Sequence, residues 1–418
     1  REHALALQNL GQRDAALEVL EKYLALLAGS EGRERSQFLF LIGLLSAKES
    51  GRGLLALQEL LRGGGERKPL LLGLHLLLLR WPDDAASQGK WIAFLEDVLE
   101  FRPEHPLRGE LLLLLAQAAF EQKEIERSRL AADAYLKGFP QAENAPDALR
   151  LLASISLSSQ PPQYRTAASF LSRIRDKSKS AQERFLLGVQ LADCHFLAGD
   201  YENAATLYET SIKEVPEGHE IGVLAFQHVL ALLQGGNLEE AKAVLDKLDP
   251  ETRGLADHRW RAEWNLITLL KGAGRAEEAF SRVRHILKSR ESQPKEGLPV
   301  NLTLRLQWLE AHLALEGGRP SETSQNADNL LEALKTASED MLEEKEAENL
   351  LAGALLLKVQ ALLAFKKYKE AAPFIRRLRE EHPGTGFAQR SYLLEASYHY
   401  QADDLVKAQQ LSVELADL

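Results

Sequence analysis

The sequence predicts an all-α protein built of about eleven stacked helical hairpins. Three observations carry that expectation. Of the 418 residues, 82 are Leu and only 22 are Val or Ile. Strands favour β-branched residues while helices favour Leu, Ala, Glu, Lys, Arg and Gln, so this ratio argues against a large sheet. Apolar residues also recur at helical spacing along most of the chain. Finally, one hairpin-like pattern returns at intervals of 35 to 48 residues, with a mean near 39. Two helices of roughly 15 to 17 residues joined by short turns fill such a unit.

The pattern is clearest between Arg184 and Gly218. Leu187, Leu191 and Cys194 line one face of a helix that stops at Gly199–Asp200. A second helix opens at Tyr201 and carries Ala204, Leu207, Tyr208 and Ile212 on one side. Gly199 supplies the positive φ that a helix C-terminus needs, and Ala204 is small where two helices approach closely. Tyr201 and Tyr208 fill the space toward neighbouring hairpins, and Pro216 blocks further helix.

Taken in chain order, the recurring small position falls at Ala16, Ala56, Trp91, Ser128, Ala167, Ala204, Ala241, Ala279, Thr323, Ala371 and Ala408. Gly11 and Gly51 precede the first two. Pro103 and Pro140 stand in the stop position after the next two, and Pro161–Pro162 precede the helix of Ala167. Gly236, Gly274 and Gly317–Gly318 mark later turns, and Pro383 ends the hairpin of Ala371. The order Gly199-x-Tyr201-x-x-Ala204-x-x-x-Tyr208, with Pro216 eight residues on, resembles the tetratricopeptide repeat. The resemblance implies a right-handed α-solenoid superhelix whose first helices line a concave groove, and a scaffold role in protein–protein interaction. The long unit also resembles bacterial envelope proteins of this superfamily, which implies a part in cell-envelope assembly in the periplasm.

On this reading residues 1–418 form a single array. Residues 1–290 are the more regular repeats, 291–350 carry insertions, and 351–418 are the C-terminal repeats. The stretch Ser289–Asn301 reads as an exposed loop. Glu332–Asn349 reads as extended helix ends around a tight turn, and its acidity as a solvated face. The first turn comes after only ten residues and the last hairpin has no polar capping helix, so the chain reads as a fragment or as one whose ends are covered.

Chemistry is sparse. A net charge of −10 disfavours a general nucleic-acid binder, and one cysteine excludes a disulfide framework or a multi-Cys zinc site. The apolar run Leu70–Leu79, with His75 inside it, is about half the ~20 residues of a membrane span, so it reads as a buried helix and no transmembrane segment is expected. His219–Glu220 lacks the second His of a zinc-peptidase helix. Gly63–Gly65 reads as a turn and not a phosphate loop. Cys194 reads as a buried apolar residue, and the 11 histidines show no ligand spacing. No catalytic, cofactor or metal site is assigned, and the chain is expected to be no enzyme. The chaperone-adaptor branch of the resembled family clamps a C-terminal carboxylate with Asn and Lys. Here the key Asn places hold Asp193, Leu230, Thr268, His312 and Gln360, so that function is not carried over.

The candidate partner-binding residues lie on first helices: Phe226, then Arg261, Trp264 and Lys271, then Arg305, Trp308 and His312. An Arg-x-x-Trp pair recurs in two adjacent hairpins, and Trp and Arg dominate interface hot spots. Trp at such positions also packs between hairpins, so the binding reading requires Trp264 and Trp308 to be at least partly exposed. A basic–aromatic groove on an acidic chain predicts an acidic or extended polypeptide partner and no nucleic acid. Two alternatives stay open: the repeat region of a larger enzyme or regulator, and a sensor of a small molecule or glycan.

Overall fold

The computed structural model describes residues 2–27, 32–46, 51–81, 85–248, 256–292, 298–336 and 342–417, among which there are 22 helices and no strand. They alternate as hairpins. The first five are α1 (Glu2–Asn9) with α2 (Arg13–Leu26), α3 (Arg33–Leu45) with α4 (Gly51–Gly63), α5 (Arg67–Arg80) with α6 (Ala85–Phe101), α7 (Arg108–Glu121) with α8 (Ile125–Gly138), and α9 (Ala145–Ser158) with α10 (Tyr164–Arg175). Then come α11 (Ala181–Leu197) with α12 (Tyr201–Lys213), α13 (Gly222–Gln234) with α14 (Leu238–Lys247), and α15 (Ala256–Gly272) with α16 (Ala276–Ser292). The last are α17 (Val300–Glu316) with α18 (Pro320–Thr336), α19 (Glu344–Ala364) with α20 (Tyr368–Glu381), and α21 (Gly386–Gln401) with α22 (Leu405–Ala416). The expected hairpin architecture is thus present from end to end.

The turns explain why each hairpin closes. In eight of them the residue two before the second helix has a positive φ: Gly11, Lys123, Gly199, Gly236, Gly274, Gly318, Lys366 and Asp403. In each case the next amide donates to the carbonyl five residues back, as Asp200 N does to His195 O and Lys367 N to Leu362 O. The left-handed residue itself donates three residues back, as Gly199 N does to Phe196 O. That pair of bonds satisfies the carbonyls orphaned at the end of the first helix. The next residue is the N-cap of the second helix, and in most hairpins its side chain makes no capping bond. Asp404 is an exception and accepts from Lys407 N.

All eleven predicted small positions are buried. Nine of them are the fourth residue of a second helix; Ala56 and Trp91 lie deeper, because α4 and α6 begin earlier in their units. Ser128 turns its hydroxyl onto Ala116 O at 2.7 Å, so a polar residue is tolerated there. Trp91 is the large outlier, and it packs against Trp81 and Phe94 with ring centroids 4.8 and 5.8 Å away.

The internal contacts divide the chain into two units, residues 1–194 and 195–418. In the first, α3 packs on α5 and α7 on α9; in the second, α13 packs on α15, α17 on α19 and α19 on α21. In these pairs one first helix stacks directly on the next. Among second helices a comparable direct contact occurs at α4 with α6.

Three expectations are corrected. The run Leu70–Leu79 is helical, but only Leu70, Leu74 and Leu77 are buried with Gly73; His75 and Leu72 are exposed and Leu79 is 73% exposed. Helix α5 buries one face against α3 and α4, so a run apolar all round leaves leucines outside. The loop expected over 289–301 is shorter, since α16 continues to Ser292 and α17 starts at Val300; residues 293–297 lie outside the described set. The longest apolar helix is also not in that region. By length and composition α19 could cross a membrane, and 61% of its apolar window is buried inside the protein, where it packs on α17, α18, α20 and α21. The acidic insertion has the expected extended helix ends in α18 and α19, with 337–341 outside the described residues.

Candidate functional site

The seven predicted residues all fall on three first helices of the second unit: Phe226 on α13, Arg261, Trp264 and Lys271 on α15, and Arg305, Trp308 and His312 on α17. Both Trp264 and Trp308 are half-buried, so each keeps an exposed part. Arg261 and Arg305 are exposed.

One cluster joins three of the seven. Lys271 Nζ lies 3.3 Å from Glu316 Oε1, and His312 Nε2 lies 3.2 Å from the same oxygen. His312 in turn stacks on Trp308 with centroids 5.1 Å apart and planes 12° apart. Two cationic-type groups from successive first helices therefore converge on a single carboxylate beside an indole. Burial pushes the His312 pKa below the usual imidazole value, reinforced by Lys271 and Arg390 and opposed by Glu316. Burial therefore favours the neutral ring, which sits beside the Glu316 carboxylate.

The other four residues stand apart from this cluster. Arg305 pairs with Glu346 of α19. Phe226 lies against the His258 ring, with centroids 5.6 Å apart. Arg261 has no ion-pair partner among the described residues, and Trp264 offers its carbonyl to Thr268 Oγ1 at 2.8 Å. The basic surplus expected of this groove is smaller, because Glu316 and Glu346 answer Lys271 and Arg305. Trp308 also has a packing role. A Cβ on Gly353 of α19 would come within 2.6 Å of its Nε1, so the indole is seated on a glycine that must stay bare.

Glu316, Glu346, His258 and Gly353 are neighbours of the candidate residues that sequence reasoning misses. Glu316 is four residues after His312, on the same helix face, and could have been found by spacing. Gly353 sits inside an apolar helix, where glycine signals a close approach. The partners of Lys271 and Arg305 come from the following hairpin and leave no local signal. Among the described residues no group of three or more His, Cys, Asp or Glu side chains could hold a metal ion. Cys194 is buried and its thiol is pushed up to about 11, mainly by burial and then by Asp193.

Stacked helical hairpins with closing left-handed turns define an α-solenoid. Residues 188–218 match the family model of the tetratricopeptide repeat, the hairpin in which the sequence pattern is clearest. That hairpin is a match to the tetratricopeptide repeat, and the other hairpins share its helix–turn–helix plan. No curated protein sequence matches it. Similar solved structures include Naa15/Naa10 bound to HypK-THB, at 14% identity over 92% of this chain and 63% of that one, with a TM-score of 0.43. This chain therefore spans under two thirds of that one. The apo form of RapI is similar at 13% identity over 73% of this chain and 85% of that one, with a TM-score of 0.42. A tetratricopeptide repeat protein from Parabacteroides merdae is similar at 15% identity over 65% and 93%, with a TM-score of 0.31.

Proposed function

We propose that this chain is a non-catalytic protein-interaction scaffold whose second unit binds an acidic, extended segment of a partner protein along its first-helix face. The observation that carries this reading is the Lys271–Glu316–His312 cluster beside Trp308. It is a place where a carboxylate is already held by donors from two hairpins. The Lys271–Glu316 ion pair is partly exposed, and such a pair is worth roughly 0–1 kcal/mol, so a partner's carboxylate can exchange with Glu316 at little cost. The half-buried indoles of Trp264 and Trp308 supply contact area on either side, and Arg261 and Arg305 supply directional donors. Arrayed first helices suit an extended chain, which meets one hairpin after another. We place the scaffold in bacterial cell-envelope assembly on the resemblance of its long repeat unit alone; fractionation of the native host tests that setting.

The test is fluorescence anisotropy with labelled acidic, neutral and basic peptides of equal length. The acidic peptide should bind best and weaken with salt. Trp264→Ala and Arg305→Ala should each lower its affinity about tenfold, a hot-spot effect of over 1 kcal/mol, with the melting temperature little changed. Equal binding of acidic and basic peptides would sink the reading, as would affinity losses that merely follow losses of stability.

A further inference from the structure

In the first unit α3 packs on α5 and α7 on α9, but among the described residues no such packing joins α5 to α7. A cavity of about 680 Å3 lies where α5, α6 and α7 meet. Its walls include Leu79 near the end of α5, Trp81 just after it, and Trp91 of α6. Helix α7 contributes Leu114, Gln117 and Glu121, which stand at i, i+3 and i+7 and so share one face. The two indoles are inclined at 56° with centroids 4.8 Å apart, so they form a corner and not a flat stack. Trp81 is half-buried, and its Nε1 donates to Ser87 O at 2.8 Å, which fixes the ring before any ligand arrives.

Two charged residues border the cavity, Arg80 and Glu121. The Arg80 guanidinium is already engaged: Nη1 donates to Gly43 O and Nη2 to Leu44 O at 3.4 Å. A Cβ on Gly53 would lie 3.0 Å from that Nη1, so the head is held at the α3–α4 hairpin. Glu121 is exposed, and its carboxylate has no hydrogen-bond or ion-pair partner among the described residues. It is also the last residue of α7, whose final turn holds no basic side chain. A helix C-terminus carries partial negative charge and favours a cation. The carboxylate and the helix end therefore both favour a positive charge and oppose an anion. The indoles attract a cation and also cover an apolar body. A bare ion would leave Leu79, 73% exposed, and Leu114 in water, whereas an organic cation covers them. The volume falls within the roughly 300–1,000 Å3 of small-molecule pockets.

We propose that this cavity binds a small organic ammonium ion, its head at Glu121 and its apolar body on the Trp81 indole, Leu79 and Leu114. The site uses first-unit residues alone and is independent of the acidic-peptide reading, whose residues lie on α13, α15 and α17.

Ligand-observed NMR titration of the full chain tests it. Phenethylammonium, 2-phenylethanol and phenylacetate form a cationic, neutral and anionic series of one shape, and a capped lysine amide probes a partner's side chain. At matched ionic strength phenethylammonium should bind saturably and most tightly, and phenylacetate most weakly. Glu121→Gln should weaken the cation about fivefold, the scale of a partly exposed ion pair, and leave 2-phenylethanol unchanged. Gln117→Glu adds a second carboxylate one turn away and should tighten the cation several-fold; a folding defect cannot mimic that gain. The proposal is overturned if 2-phenylethanol or phenylacetate matches the cation, if the preference for cation over alcohol survives Glu121→Gln, or if Gln117→Glu brings no gain. A capped lysine amide that binds more tightly than phenethylammonium would assign the cavity to a partner's lysine and overturn the small-molecule assignment.

Discussion

At the scale of single residues, the hairpin turns show where backbone conformation outweighs side-chain chemistry. Five of the eight closing positions are glycines, while Lys123, Lys366 and Asp403 hold the same left-handed conformation with a Cβ. A non-glycine residue in that region costs about 1–2 kcal/mol, and part of this is offset because glycine loses more freedom on folding. Lys366 is exposed, and its side chain makes no hydrogen bond or ion pair among the described residues that would compensate. Lys366→Gly should therefore stabilise the protein by about 0.5–1 kcal/mol in denaturant melts. A loss of stability would show that the lysine side chain contributes a contact. Gly199 was legible in the sequence because glycine is visible there. The three exceptions were not, since nothing in a lysine or aspartate announces a positive φ; only their register, two residues before a second helix, marks them. Cys194 offers a second test at this scale. Its thiol is buried and its pKa is raised to about 11, so almost no thiolate exists near pH 7. Iodoacetamide should modify it only as fast as the protein unfolds, and rapid stoichiometric labelling of the native state would contradict the burial.

At the scale of elements, packing is set by where small residues let helices meet. The small-position ladder was readable because each hairpin repeats it at nearly the same distance from a turn. Ala241 and Ala371 are fully buried on it, as the fourth residues of α14 and α20. Ala241→Leu should cost about 1–3 kcal/mol by overpacking, read as a lower denaturation midpoint with an unchanged slope. The contact between α17 and α19 was less legible. Gly353 and Trp308 are 45 residues apart, across the insertion that breaks the regular spacing. Gly353→Ala places a methyl where the Trp308 indole now lies. Trp308 must then swing outward, and with it the His312 ring stacked upon it. We expect a red-shifted tryptophan emission, a stability loss of about 1–3 kcal/mol and weaker acidic-peptide binding. An unchanged emission spectrum would mean the indole is not seated on this glycine. The candidate site was thus legible in its cations and aromatics, which are single-residue signals. It was illegible in the Lys271–Glu316 and Arg305–Glu346 pairs, because these form only when successive hairpins stack.

For the whole molecule, buried histidines give stability a pH dependence with a definite sign. His105, in the first unit, is held as the neutral ring by its bonds. Its Nε2 donates to Leu61 O at 2.9 Å, and its Nδ1 accepts from Leu107 N at 3.0 Å. A second proton on Nδ1 would face the Leu107 N–H. Burial, the largest cause, lowers its pKa, and Arg102 adds to that while Leu61 and Glu110 oppose. In the second unit burial likewise lowers His228, against Glu209 and Glu240 and with Lys213, and lowers His312 as described. In the unfolded chain these rings titrate near 6.5, so as pH falls below about 7 the unfolded state takes up protons that the folded state refuses. The stability they contribute is fully present above the unfolded value and is lost as pH falls toward the lower folded values. Each adds at most about 1.4 kcal/mol per pH unit within that window. Calorimetric melts of the full chain should show the transition temperature falling between pH 7.5 and 5.5, at fixed ionic strength. His105→Gln, which keeps a donor and an acceptor but cannot take the proton, should flatten the part of that fall belonging to the first unit, and should itself be less stable at pH 7.5. A wild-type transition that rises on acidification through this range would mean the rings are charged in the fold, contrary to the bonds around His105.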